Sequence, residues 1–223
     1  MILIFDLDDT LYDERTFAIS GFRAVARFLK QRHNLPEKEC FEEMRKIESE
    51  RSHIFDRVLQ GYGIYSRVLL RNCVKVYRSH RPSISLFPDA ARCLKRFQQF
   101  PLYVVTDGHK QVQLNKLKML GLWEDNIVRR SLRTNAYGQK YAKPNSFCFD
   151  LIARREKEPP ENIIYVADNP SKDFLIKRNG YKTVRLMRGH YKDLNLGPEY
   201  EAHIRINNLD ELTFDIIQML GLI

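Results

Sequence analysis

The chain has 223 residues, of which 43% are hydrophobic and 29% are charged, with only 10 glycines and 9 prolines. This composition excludes collagen-like, low-complexity and disordered proteins, and the length allows one large domain or a core with a smaller second lobe. The formal net charge of +9 favours anionic partners, but charge alone does not choose among phosphorylated metabolites, nucleic acids and acidic surfaces.

The sequence shows no signal for a membrane or for secretion. No stretch approaches the roughly 20 uninterrupted apolar residues of a membrane span. The apolar run at the start of the sequence meets Asp6 too soon to form a secretion signal. We therefore expect a soluble, cytoplasmic protein. The four cysteines are widely separated, without a CxxC motif or a disulfide framework, and we expect reduced thiols in the core.

Short β-rich runs alternate with helical patterns along the chain. The runs Ile2–Phe5, Leu102–Thr106, Ile163–Ala167 and Thr183–Leu186 are typical of buried parallel strands. Apolar residues at helical spacing follow them: Ala90, Leu94 and Phe97; Leu114, Leu117 and Leu120; Phe147, Leu151 and Ile152; and, for a closing helix, Leu209, Leu212, Ile216, Ile217 and Leu220. The alternation predicts an open α/β sheet with a ligand beyond the carboxyl ends of its strands.

One segment breaks this alternation and predicts a helical insertion. From about Glu14 to Ser85 there is no strand run, and helical patterns surround the turn-like Gly61-Tyr62-Gly63; the patterns are Phe22, Val25, Ala26 and Leu29, then Val68, Leu69 and Val76. Residues 12–86 hold 15 basic and 9 acidic residues, and thus most of the net charge.

The densest basic series of the insertion consists of Arg67, Arg71, Lys75, Arg78 and Arg81. Two interpretations stay open for these side chains. They are either the solvated faces of ordinary helices or an electrostatic funnel for a phosphorylated substrate.

Carboxylates follow two of the predicted strands. Asp6 and Asp8 come directly after the first strand, and residues two apart in an extended chain face the same side. Their mutual repulsion suits divided roles, one ionised nucleophile and one proton carrier, with a cation between them. Asp168 and Asp173 follow the strand that ends at Ala167. Hard oxygen ligands of this kind select Mg²⁺.

Two further elements suit phosphate chemistry. Thr106-Asp107-Gly108 closes a strand, where a hydroxyl and backbone N–H groups can hold phosphate oxygens and the glycine permits close approach. Lys143, before Pro144, supplies a cation. That charge is needed because a carboxylate that attacks a phosphate dianion brings negative charges together.

Together these segments resemble, in order, the four motifs of the haloacid dehalogenase superfamily on its phosphatase side. The segments are Phe5-Asp6-Leu7-Asp8-Asp9-Thr10-Leu11, Thr106-Asp107-Gly108, Lys143-Pro144 and Asp168-Asn169-Pro170-Ser171-Lys172-Asp173. The resemblance covers nearly the whole chain. It implies a Rossmann-like catalytic core over 1–13 and 86–223, with a helical cap of the C1 type inserted over 14–85.

The resemblance also implies roles for the acidic residues. Asp6 would be the nucleophile that forms an aspartyl-phosphate, and Asp8 would be the general acid and then the general base. The backbone carbonyl of Asp8 would join Asp6 and Asp168 around Mg²⁺. Asp173 would support the metal site or orient Lys143.

For the phosphoryl group, the resemblance implies binding by Thr106, Asp107, Gly108 and Lys143. Asp107 stands where the family often has asparagine, and an extra acid at that place leaves its role open. Asp9 has no role in the family pattern, and we expect structural hydrogen bonds from it.

The sequence therefore predicts a Mg²⁺-dependent phosphomonoester hydrolase for a small phosphorylated metabolite, either a sugar phosphate or a nucleoside monophosphate. Three alternatives remain. A dehalogenase would not need the acid Asp8. A phosphomutase shares the catalytic aspartates. A non-catalytic binder of anions or nucleic acid is the third, and the absence of an RNA-binding signature or a zinc finger disfavours a nucleic-acid partner. Oligomeric state is not predicted.

Overall fold

The computed structural model describes residues 1–48, 53–124 and 127–221. It divides into two compact units. Met1–Glu14 together with Ser85–Ile223 form the first, here called the core unit, and Arg15–Ile84 form the second, here called the helical unit. In the described ranges, no helix has both the length and the apolar character needed to cross a membrane.

A parallel six-stranded sheet forms the centre of the core unit. Its strands are β1 (Ile2–Phe5), β2 (Leu102–Thr106), β3 (Arg130–Arg133), β4 (Ile163–Ala167), β5 (Lys182–Leu186) and β6 (Ile204–Ile206). Their spatial order is β3-β2-β1-β4-β5-β6, and every neighbouring pair is parallel. The predicted α/β parallel-sheet fold is thus confirmed.

Four of the six strands were predicted, and their shared property is burial. β1, β2 and β4 are buried at every position because they lie inside the sheet. β3 and β6 were missed because they are short edge strands with exposed arginines in place of an apolar run. An edge strand contacts the sheet on one side only, so its sequence carries a weaker signal.

Helices connect the strands of the core unit. The sequence placed a closing helix from Leu209 onward, and that start is wrong. The hydroxyl of Thr213 accepts a hydrogen bond from the backbone N–H of Ile216 and starts the helix there, so Leu209 and Leu212 are buried in the preceding turns. The helices are α5 (Pro88–Arg96), α6 (Lys110–Met119), α7 (Thr134–Tyr137), α8 (Phe147–Glu156) and α9 (Phe214–Met219).

The helical unit consists, in its described residues, of four helices: α1 (Glu14–His33, which begins at the boundary), α2 (Glu37–Ile47), α3 (Ile54–Gly61) and α4 (Arg67–Ser79). They share an apolar cluster that includes Phe22, Met44 and Leu59. On α4 the buried residues are Leu69 and Cys73, whereas Val68, which the sequence placed on the apolar pattern, is 59% exposed.

Strand register places the predicted site at the carboxyl ends of the central strands. Phe5 pairs with Val104 on one side and with Val166 on the other, so Asp6, Thr106 and Asp168 all lie within two residues of the same level. Asp6 continues the pairing, since its backbone N–H donates to the carbonyl of Val166 at 2.9 Å. The carboxyl ends of β1, β2 and β4 thus bring their following residues together.

Candidate active site

Three carboxylates converge beyond β1 and β4. Asp6, Asp168 and Asp173 each offer an oxygen, and these oxygens all lie within 4.8 Å of one another. All three side chains are buried. Like charges at such distances repel strongly in a dry environment, so this arrangement needs a cation to be stable in its ionised form.

One cation is supplied by the protein itself. Lys143 places its Nζ 2.8 Å from an Asp6 oxygen and 2.8 Å from an Asp173 oxygen, and its side chain is completely buried. The same Nζ donates to the hydroxyl of Tyr165 at 2.8 Å, and that hydroxyl donates to Asp173 at 3.0 Å. The second Asp173 oxygen accepts the backbone N–H of Asn169 at 3.2 Å. Lys143 is therefore fixed between the two carboxylates by three contacts.

The pKa values of Asp6 and Asp168 show that negative charge in this cluster is not fully compensated. Burial raises the pKa of Asp6 to about 6, although Lys143 acts in the opposite direction. Burial raises the pKa of Asp168 to about 9, and the carboxylates of Asp6 and Asp173 add to this effect. Lys143 alone does not neutralise the cluster. An additional cation at Asp168 would remove this penalty, and carboxylate oxygens are the donors that Mg²⁺ prefers.

The carboxylate of Asp107 makes contacts that connect neighbouring segments of the chain. One of its oxygens accepts from the hydroxyl of Thr134 at 2.6 Å and from the backbone N–H of Lys143 at 3.2 Å. The other oxygen lies 3.6 Å from Nζ of Lys172. These contacts connect the turn after β2 to the segment that carries Lys143. They account for an acidic residue at a position where the family that the motifs resemble often has asparagine.

Gly108 has a conformation that other residues rarely adopt. Its φ is +116°, and a Cβ at this position would lie 3.4 Å from the side-chain amide carbon of Gln113. The positive φ of this turn is therefore the reason for glycine, since a Cβ would meet Gln113 only at ordinary van der Waals distance.

Asp8 lies in different surroundings from Asp6, among residues that the sequence interpretation missed. Nζ of Lys116 lies 2.6 Å from one Asp8 oxygen, and the hydroxyl of Tyr12 donates to the same oxygen at 2.6 Å. The amide of Gln113 donates to the other oxygen at 2.7 Å. Burial alone would raise the pKa of Asp8, but the charge of Lys116 and these hydrogen bonds outweigh it and lower the pKa.

Gln113 also contacts the predicted phosphate site. Its amide nitrogen lies 2.6 Å from the hydroxyl oxygen of Thr106 as well as 2.7 Å from Asp8. Both Gln113 and Lys116 are buried on α6 beside Leu117. A polar residue at a buried position of the helix is the signal that could have revealed them. The leucines at 114, 117 and 120 predict the helix but do not show that the polar residues between them turn inward.

Asp9 has the structural role expected from the sequence. Its carboxylate accepts the backbone N–H groups of Glu14 at 3.0 Å and of His190 at 3.2 Å. Gly189 packs so closely against Asp9 that a Cβ there would lie 2.5 Å from the Asp9 side chain. Asp9 therefore fastens the 188–190 segment to the turn after β1.

With this geometry established, comparison with known proteins gives a family. The protein-family model described as haloacid dehalogenase-like hydrolase matches residues 1–175. The chain belongs to the haloacid dehalogenase-like hydrolases. This assignment confirms the resemblance drawn from the four motifs, together with the predicted enzyme class and the Rossmann-like core.

Relatives and solved structures that are similar to this hydrolase match nearly the whole of its chain. A Methanocaldococcus jannaschii protein named glyceraldehyde 3-phosphate phosphatase is 29% identical, over 98% of this chain and 97% of that protein. The HAD-hydrolase YfnB from Bacillus subtilis, solved with magnesium bound, is 20% identical with a TM-score of 0.65 and 97% coverage of each chain. A 2-haloacid dehalogenase from Pseudomonas syringae is 22% identical, also with a TM-score of 0.65 and with 98% coverage of each chain. At these identities the two structures establish the shared fold alone.

Proposed function

We propose that this enzyme is a Mg²⁺-dependent phosphomonoester hydrolase that acts on a small phosphorylated metabolite through an aspartyl-phosphate. The observation that carries the proposal is the contact between Asp6 and Lys143 at 2.8 Å, beside the buried carboxylates of Asp168 and Asp173. A nucleophilic carboxylate, a fixed ammonium and a cluster suited to a divalent cation are what phosphoryl transfer to a side chain requires.

Asp6, Asp168 and the backbone carbonyl of Asp8 would hold the Mg²⁺ ion. The fit rests on the carboxylate oxygens and on the pKa of Asp168, which burial and its acidic neighbours raise to about 9 when no cation is present. When bound, the ion would neutralise the carboxylates and the phosphate dianion and would stabilise charge on the transferring group. Asp173 would act chiefly by orienting Lys143, which it contacts at 2.8 Å.

In the first step, an oxygen of Asp6 attacks phosphorus and the bond between phosphorus and the ester oxygen breaks. The departing oxygen takes a proton from Asp8 and leaves as the alcohol. Because Lys116 and the hydrogen-bond donors lower the pKa of Asp8, only the protonated fraction of Asp8 performs this step, and the step slows as the pH rises. Lys143, the hydroxyl of Thr106 and the backbone N–H groups of Asp107 and Gly108 bind the phosphoryl oxygens. A proton donor matters here because an alkoxide is a poor leaving group.

In the second step, water attacks the phosphorus of the aspartyl-phosphate. Asp8, which is now ionised, takes a proton from this water, and the bond between phosphorus and the Asp6 oxygen breaks. Inorganic phosphate and the original carboxylate of Asp6 are released, and Asp8 regains the proton that it gave to the alcohol.

The substrate class is a small sugar phosphate. The relative from M. jannaschii is named for glyceraldehyde 3-phosphate, a phosphorylated three-carbon sugar, and its similarity extends over nearly the whole of this chain. We propose a substrate of this class, with the exposed basic residues of α4 raising its local concentration by electrostatic attraction.

Phosphate release from a substrate panel tests the proposal. The panel contains glyceraldehyde 3-phosphate, other sugar phosphates, nucleoside monophosphates and small phosphorylated acids, each with Mg²⁺ or with EDTA, and wild type is compared with Asp6→Asn. We expect Mg²⁺-dependent release from the sugar phosphates and none from the variant. Conversion to an isomeric sugar phosphate without free phosphate would indicate a phosphomutase, and equal release by Asp6→Asn would refute Asp6 as the nucleophile.

A further inference from the structure

The first turns of α6 carry two buried polar side chains that are aimed at Asp8. Gln113 is 2% exposed and Lys116 is 4% exposed, although both residue types are usually found at the surface. Burial of an ammonium and an amide is unfavourable unless each is paired with a suitable partner. The partner that they share is the carboxylate of Asp8.

The contacts fix the carboxylate from both sides. Lys116 and Tyr12 bind one oxygen of Asp8, and Gln113 binds the other. With both oxygens held, the carboxylate plane of Asp8 cannot turn without breaking a short charge-assisted hydrogen bond. General acid and base catalysis depends on such an orientation, because proton transfer requires the oxygen to lie within hydrogen-bond reach of the reacting group.

Gln113 links this network to the predicted phosphate site. Its amide nitrogen lies within hydrogen-bond distance of both Asp8 and the Thr106 hydroxyl. The turn between these elements contains Gly108, whose φ of +116° favours glycine. One amide group therefore sets the distance between the proton carrier and a ligand of the phosphoryl group.

We propose that Lys116 and Gln113 are positioning residues that hold Asp8 in the orientation needed to protonate the leaving alcohol and to activate water. The inference rests on the proposed phosphatase function and assigns to α6 a catalytic task that the motif residues do not include. Tyr12, on the segment after β1, supports the same oxygen as Lys116.

Leaving-group dependence distinguishes this role from a merely structural one. A primary alkyl phosphate needs a proton on its departing oxygen, whereas the phenolate of p-nitrophenyl phosphate departs without one. The value of kcat/KM reports the steps up to the departure of the leaving group. A misplaced Asp8 should therefore lower kcat/KM for glyceraldehyde 3-phosphate far more than for p-nitrophenyl phosphate.

The variants are Lys116→Met and Gln113→Leu, with Asp8→Asn as the positive control. Matched controls are Lys118→Met and Gln111→Leu, which change the same residue types at exposed positions of the same helix. We expect the two test variants to lose about 10- to 100-fold in kcat/KM for the alkyl ester and less than about threefold for the aryl ester, a part of what general acid catalysis contributes. The two matched controls should resemble wild type.

A second readout follows the aspartyl-phosphate. With p-nitrophenyl phosphate, a poorly oriented Asp8 should slow the attack of water while leaving the first step fast. Rapid mixing should then show a burst of nitrophenolate, with an amplitude near one per enzyme, in Lys116→Met, Gln113→Leu and Asp8→Asn. Because Gln113→Leu removes no charge, it keeps the test available should Lys116→Met fail to fold, as judged by circular dichroism.

The outcomes separate the two proposals. Equal losses for both esters in Lys116→Met and Gln113→Leu, while Asp8→Asn discriminates between them, would overturn the positioning role and leave the phosphatase intact. No discrimination by Asp8→Asn would instead refute Asp8 as the proton carrier. Wild type that hydrolyses neither ester and no member of the substrate panel would refute the proposed function itself.

Discussion

Asp6 and Asp8 are separated by a single leucine, yet their carboxylates lie in opposite surroundings. Asp6 lies in a crowded acidic cluster, where burial raises its pKa to about 6 and Lys143 is a shared counterion. Asp8 contacts Lys116, which also lies 3.8 Å from Glu14, and accepts hydrogen bonds from Tyr12 and Gln113, and its pKa is lowered. Two identical side chains thus acquire different chemistry from the elements packed around them, β4 and its following loop for Asp6 and α6 for Asp8.

The largest expected effect tests the Asp6 side of this comparison. Asp6→Asn removes the nucleophile while keeping the shape of the side chain, and turnover should fall by about 10,000-fold or more, as is usual when a nucleophile is lost. Phosphate release under saturating Mg²⁺ measures it. Asp215→Asn, at an exposed position of α9, is the matched control and should behave as wild type. Normal turnover by Asp6→Asn would show that Asp6 is not the nucleophile.

Removal of the shared cation should show how much the Asp6 cluster depends on it. Lys143→Met leaves Asp6 and Asp173 buried without their ammonium partner, and such a loss costs about 3–5 kcal/mol of unfolding free energy. Urea unfolding measures it. The double variant Lys143→Met with Asp173→Asn should be more stable than Lys143→Met alone, because one of the two uncompensated charges is gone. Equal stability of the two variants would show that Lys143 does not offset the charge of Asp173.

Metal binding should relieve the same crowding. If Mg²⁺ binds at Asp168, saturation at about 100 times the dissociation constant adds about 2.7 kcal/mol and raises the Tm by about 5–10 °C in a chain of this size. Differential scanning fluorimetry with Mg²⁺ or EDTA measures the shift.

Asp168→Asn provides the matched test of that shift. The variant should melt at a higher temperature than wild type in EDTA near neutral pH, because burial and the neighbouring carboxylates raise the pKa of Asp168 to about 9, and asparagine removes the cost of protonating this group on folding. It should also show almost no further shift with Mg²⁺. A full Mg²⁺ shift in this variant would place the metal elsewhere.

Remote charge should matter least, since the comparison attributes the chemistry to local surroundings. Arg71→Gln on α4 should raise KM about two- to fivefold at low ionic strength and leave kcat unchanged, because exposed charges act only by long-range attraction. Initial rates at low and high salt measure it, with Arg154→Gln on α8 as an exposed control. A change in kcat would show that the helical unit reaches the chemistry more directly.

Much of the site could be predicted because strand ends are easy to locate. Asp6 and Asp168 each follow a fully buried run and Thr106 is the last residue of one, and parallel pairing leaves few alternatives for where those runs end. To predict that Lys143 belongs to the site, the order of the motifs was needed as well, because Lys143 follows no strand. Whether Asp173 orients Lys143 was left open by the sequence, and the structure places them 2.8 Å apart.

The contacts of Asp8 could not be predicted from the sequence, for a different reason. Gln113 and Lys116 occupy helix positions beside Leu117, where apolar residues are expected, and a pattern of leucines hides a polar residue on the same face. Only packing decides which side of α6 turns inward. The edge strands β3 and β6 were missed for a related reason, since each has too few buried residues to produce a periodic signal.

The central place of β1 in the sheet has an expected consequence for the loss of activity on heating. Because β1 is hydrogen-bonded on both sides and its pairing extends to Asp6, local fraying of loops or of edge strands does not release this segment. Amide hydrogens of residues 3–6 should exchange only through global unfolding, more slowly than those of β6. The nucleophile is thus tied to the most persistent part of the backbone, and thermal inactivation should coincide with melting of the whole sheet.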